Sequence, residues 1–159
     1  MRKFLSFLMI AMLALFLAAA AMAQPRGGAM MEEDVFTPLT LGFDFMRDGN
    51  YEAAEYEFKK VLKADANNPF ALNNLAALEE RKGNLDTAYA YLDGAAKYAD
   101  QYRQGIQQTC FVGGLCAAVR PVQQMGAESE IAKVVAENQA KLKAKMGPGP
   151  RPPQSAPKM

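Results

Sequence analysis

Histidine and tryptophan are absent from the chain, and cysteine occurs only twice. Without histidine, the commonest general base and the commonest zinc ligand are both missing. Two cysteines fall short of the four nitrogen or sulfur donors that a structural zinc site takes. An excess of either charge is lacking too: 18 Lys and Arg stand against 17 Asp and Glu, a net charge of +1. That balance excludes the strongly basic footprint of a nucleic-acid binder. A length of 159 residues leaves room for one or two small domains. Most enzymology is disfavoured on these absences, with only carboxylate or hard-metal chemistry left open.

Long apolar runs are confined to the first two dozen residues. Arg2 and Lys3 form a basic start, Phe4 to Ala23 is apolar apart from Ser6, and Ala21-Met22-Ala23 fits an A-x-A cleavage site before Gln24. The rival reading is an uncleaved membrane anchor, since about 20 apolar residues span a bilayer. The small residues at the end of the run and the polar Gln24-Pro25-Arg26-Gly27-Gly28 favour a signal peptide over 1–23. Cleavage near Ala23/Gln24 leaves 136 residues with 16 basic and 17 acidic side chains. The expectation is an exported protein, periplasmic or secreted, with no stable membrane anchor after cleavage.

Export gives the cysteines a meaning. Cys110 and Cys116 lie six apart around Gly113-Gly114. In an oxidising compartment such a pair is a disulfide, and the glycines let the chain double back. The alternative is two small buried thiols on a helix; a redox-active pair is disfavoured, because CxxC spacing is absent.

The middle of the chain repeats itself. Gly49-Asn50-Tyr51-Glu52-Ala53-Ala54 returns as Gly83-Asn84-Leu85-Asp86-Thr87-Ala88, an offset of 34. The same offset pairs Leu41 with Leu75, Gly42 with Ala76, Phe58 with Leu92 and Val61 with Ala95. A 34-residue period with this pattern of small and large residues resembles the tetratricopeptide repeat, with two helices per unit. Asp65-Ala66-Asn67-Asn68-Pro69 also has the look of a junction between units, although Pro38 and Leu72 stand where that family often has Trp. Turn chemistry at Asp48-Gly49-Asn50 and Lys82-Gly83-Asn84, with glycine as a left-handed cap, supports helix–turn–helix units independently. So does the stripe Tyr51, Ala54, Phe58, Val61 and Leu62.

The expected fold class is therefore all-α: a short α-solenoid of two such units with a C-terminal cap. Residues 1–23 are the signal, 24–34 a linker, 35–68 the first repeat and 69–102 the second. The helix from Ala90 is expected to run on to about Gln108. Residues 103–146 form a Cys-containing loop and capping helical region, and 147–159 a disordered Pro-rich tail. Within the cap, Ile131, Val134, Val135 and Leu142 make an apolar stripe, and Glu130, Lys133, Glu137, Lys141 and Lys143 a wet face.

No catalytic constellation emerges. Glu32-Glu33-Asp34 reads as a solvated helix lead-in, Glu79-Glu80 before Arg81-Lys82 suits a helix dipole, and the tyrosines Tyr89, Tyr91, Tyr98 and Tyr102 read as packing. The expectation is no enzyme, no metal and no cofactor.

The resemblance implies a scaffold, in which the first helix of each unit lines a concave groove for a protein or peptide partner. Carried over, the groove shows Phe36, Leu39, Phe43, Met46 and Arg47 from the first unit, and Phe70, Asn73, Asn74, Ala77 and Arg81 from the second. Asn74 occupies a place where such folds hydrogen-bond a ligand backbone. Leu39 and Phe43 stand where carboxylate-clamp members carry Lys and Asn, which argues against a chaperone co-factor of that kind. The expected function is an exported adaptor, in envelope, pilus or secretion assembly by analogy. The alternative is self-association, with the groove filled by another copy in a homo-oligomer. The first helix is apolar on two faces, Leu41 and Phe45 toward its partner helix and Phe36, Leu39, Phe43 and Met46 on the other. The second stripe needs a cover: Met30, Met31 or the C-terminal helix, or else a bound peptide.

Overall fold

Asparagine, proline and glycine set the helix boundaries. In the computed structural model, which describes residues 31–111 and 114–147, α1 spans Glu33–Arg47, α2 Tyr51–Ala64, α3 Pro69–Lys82 and α4 Leu85–Ala96. Gly49 and Gly83, at φ 80° and 85°, take the left-handed conformation that reverses the chain after α1 and α3. The Asn68 side chain accepts from the N–H groups of Phe70 and Ala71, both at 3.1 Å, and Pro69 fills a first-turn position where no donor is needed. Asp65 ties this junction down, accepting from Asn68 Nδ2 at 3.0 Å and from the Tyr102 hydroxyl at 2.6 Å. Burial and that hydrogen bond both push the Tyr102 phenol well above its ordinary pKa.

α1 packs on α2 and α3 on α4, giving two successive helical hairpins. Their close approach rests on small residues. A Cβ at Gly42 would lie 2.4 Å from Cε1 of Phe58, and Ala54, Ala76 and Ala88 are fully buried. Leu41 departs from expectation. It is 42 % exposed, because Gly42 rather than Leu41 meets α2.

Beyond α4 the expected all-α class fails. The helix does not run on to Gln108; a short 3-10 turn at Ala99–Gln101 leads into β1, Gln104–Cys110, which pairs antiparallel with β2, Cys116–Met125. The fold is mostly helical with a two-stranded antiparallel sheet. What reads in sequence as a loop and capping region over 103–146 is a β-hairpin followed by a single helix, α5, Glu130–Met146. Pro121 disguises β2, since proline within a run normally demotes a strand. It is tolerated because Val119, two residues earlier, turns its main-chain groups away from β1. Pro121 shares that outer edge, so its missing N–H costs no ladder bond.

Ser129 caps α5 by accepting from the Ala132 N–H at 3.2 Å, while its hydroxyl donates to the Ala99 carbonyl at 2.7 Å. Ile131, Val134, Val135 and Leu142 are buried as the stripe requires, mainly toward α4, and the five charged positions face solvent. The expected signal, most of the linker and the Pro-rich tail beyond Gly147 lie outside the described residues. Among the described residues, no helix is long and apolar enough to cross a membrane.

Candidate functional site: the concave face and the strand it holds

The apolar stripe of α1 and the residues of α3 turned the same way both pack against β2. Leu39, Phe43 and Met46 of α1 are fully buried there, as are Phe70, Asn73, Asn74 and Ala77 of α3. The cover is neither Met31 nor α5 alone. It is β2, which packs against both α1 and α3, with Leu115, Ala118 and Val119 fully buried. These residues of α1 and α3 share one buried face, and what covers it is the chain's own hairpin. The Arg120 guanidinium lies 4.9 Å from the centre of the Phe43 ring, closing that position from above.

The polar residues of the groove act on backbone. Asn74 Nδ2 donates to the Val119 carbonyl at 2.7 Å, and Asn74 Oδ1 accepts the Val119 N–H at 3.0 Å. One amide side chain therefore satisfies both main-chain groups of a strand residue, as a neighbouring strand would. Three residues earlier the arrangement recurs. Asn138 of α5 donates to the Cys116 carbonyl at 2.8 Å and accepts its N–H at 2.9 Å. Asn73 adds a 3.3 Å bond to the same carbonyl and accepts from Asn138 Nδ2 at 2.9 Å. All three asparagines are fully buried. Dry surroundings make such bonds costly to lose, because each orphaned group keeps its full desolvation penalty.

The remaining expected groove residues sit at its margins. Phe36 is half-buried beside Met31, Gln104, Val122 and Met125. Arg47 is exposed, with Asp44 at 3.3 Å and Asp48 at 3.4 Å. Arg81 is exposed at the far end of α3, its guanidinium 4.2 Å from the ring centre of Tyr51 and 4.7 Å from that of Phe111. Cys110 and Cys116 are joined in a disulfide that closes the hairpin.

Sequence reasoning missed Val119, Cys116 and Asn138 as parts of this site. For Asn138 a signal exists: it stands on the apolar stripe of α5, between Val135 and Leu142. A lone asparagine on a buried stripe has to find polar partners. Val119 and Cys116 carry no local mark, since their role lies in their main chain.

No family model, curated protein or solved structure matches the chain.

Proposed function

We propose that this chain is an exported, non-enzymatic adaptor of tetratricopeptide-like build that binds partners by capturing an extended segment on its concave face. The observation that carries the reading is the Asn74 amide, which takes both main-chain groups of Val119. Main-chain capture of this kind accepts any extended chain whose side chains fit the neighbouring pockets. Those pockets hold the small and β-branched Ala118 and Val119 without solvent contact. A partner segment would therefore carry small, uncharged residues at the equivalent positions and compete with β2 for Asn74. The disulfide is consistent with an oxidising compartment outside the cytosol, and the apolar start of the chain supports export.

The test is a fluorescently labelled peptide with the sequence of residues 117–125, titrated against the mature protein and followed by anisotropy. Saturable binding that disappears in Asn74→Ala is expected. A flat titration up to millimolar protein would sink strand capture.

A second reading follows from the same contacts. Exchange of hairpins between two copies would place the β2 of each in the groove of the other with identical hydrogen bonds, which is the geometry of domain swapping. Light scattering decides: a mass independent of concentration and equal to one chain removes it.

A further inference from the structure

The closed end of the hairpin carries chemistry that strand capture does not use. The two sulfurs of the Cys110–Cys116 bond have different surroundings: Cys116 is buried at 5 % exposure, whereas Cys110 is exposed. Both line a cleft of about 520 Å³, walled by Phe111 and by Lys141 and Lys145 of α5. Lys141 Nζ lies 3.4 Å from Cys116 Sγ. Glu80 reaches the cleft from α3 but is paired with Lys145, one turn beyond Lys141. Glu137 stands one turn earlier on α5, and Arg81 stacks on the outer wall at Phe111. Three cations against two carboxylates leave the cleft positive.

We propose that this disulfide is a thiol-exchange site for small anionic thiols, with Cys110 as the attacked sulfur, Cys116 as the leaving thiolate and Lys141 as its counter-ion. The exchange takes two steps. An incoming thiolate attacks Cys110 Sγ through its exposed side; a bond forms between the two sulfurs, the Cys110–Cys116 bond breaks, and its electron pair stays on Cys116 Sγ. A second thiolate then attacks the incoming sulfur of the mixed disulfide, releasing Cys110 as a thiolate that takes a proton from water. Two thiols become one small disulfide, and the protein gains the two electrons. Lys141 enters in the first step, because a leaving thiolate of lowered pKa departs faster and an adjacent ammonium lowers it. The positive cleft also concentrates anionic thiols over cationic ones. A purely structural staple with one exposed cysteine shares the preference for Cys110, but not the dependence on Lys141 or on thiol charge. The inference is independent of what the groove binds.

The experiment measures reduction of the full mature protein by mercaptopropionate, 2-mercaptoethanol and cysteamine, each rate referred to its thiolate concentration. The anionic thiol is expected to outpace the neutral one by about fivefold, the factor one unit charge a few ångströms away supplies in water, and the cationic one by more. Lys141→Gln should remove most of that selectivity, and Lys133→Gln, remote on the same helix, should leave it intact. Acid-quenched mass spectrometry should find the mixed disulfide on Cys110. In the reduced protein, alkylation of Cys116 should titrate below the free-thiol value of about 8.5 and move back up in Lys141→Gln. Equal rates for the two charged thiols, an unaltered Lys141→Gln, or adducts mainly on Cys116 would each overturn the proposal.

Discussion

Asn138 shows how much rests on one side chain. Its amide holds the N–H and the carbonyl of Cys116 and donates to Asn73, all without access to water. Asn138→Ala removes the amide and leaves the Cys116 N–H and Asn73 Oδ1 without it, while Asn73 still reaches the Cys116 carbonyl at 3.3 Å. A buried donor without a partner costs about 1–3 kcal/mol, and the vacated volume adds to it. The expected loss is about 3 kcal/mol, read as a lowered urea midpoint at unchanged slope. The neighbouring Gln139→Ala, off the buried stripe, should stay within about 0.5 kcal/mol of wild type. At this scale the sequence was partly legible. Asn74 was singled out as a main-chain reader, and it reads a main chain, but the chain it reads is its own. Asn138 could have been suspected from its place on the stripe, whereas its partner Cys116 lies 22 residues away and is touched through backbone.

Between elements, one charged cluster joins the two helical hairpins. Lys82 at the end of α3 donates to Glu55 of α2 and to Glu79, both at 2.7 Å, and Lys59 donates to Glu55 at 2.6 Å. The hydrogen bonds from Lys59 and then Lys82 hold the Glu55 carboxyl below its ordinary value, and those from Lys82 and Asn84 do the same for Glu79. Carboxyls lowered in the folded state stabilise it fully above their unfolded value near 4.5, and that contribution fades as pH falls through the folded values. Part of the stability lost between pH 7 and pH 3 therefore comes from this cluster. Lys82→Met should shrink that acid loss by about 0.5–1 kcal/mol, a modest figure because the lysine remains largely solvated. Urea midpoints of both proteins at the two pH values provide the check, and an equal acid loss in both would remove the cluster's role. The elements themselves divide sharply in legibility. α1 to α4 announce themselves through local chemistry, glycine at the turns, asparagine caps before α2 and α3 and apolar spacing along each face. β1 and β2 do not, since Gln-Gly-Ile-Gln-Gln-Thr-Cys lacks strong alternation and Pro121 interrupts its partner. Their ladder bonds cross the chain, and no local window contains them.

At the scale of the whole molecule the hairpin is a shared core. α1, α3 and α5 all bear on it, and the apolar faces of α1 and α3 have it as their cover. The two helical hairpins on their own leave the apolar faces of α1 and α3 uncovered. Val119→Asp places a carboxylate where exposure is zero, and its cost should be several kcal/mol. Because the helices depend on the same strand, helical circular dichroism and the hairpin should be lost together in one transition. Gln108→Asp, at the exposed position opposite Val119 in the ladder, should change little. Survival of full helicity in Val119→Asp would show instead that the helical hairpins stand alone. Local spacing and turn chemistry were enough to place four helices and the glycine turns between them, but not the end of α4, expected near Gln108 and found at Ala96. The pairing of Cys110 with Cys116 rested on the expected export. Local spacing was also enough to show that the stripe through Leu39, Phe43 and Met46 needed a cover. Which segment supplies it was decided by long-range packing. Helix signals are periodic within a dozen residues, but a strand held by Asn74 across 45 positions is defined only once both ends of the contact are folded into place.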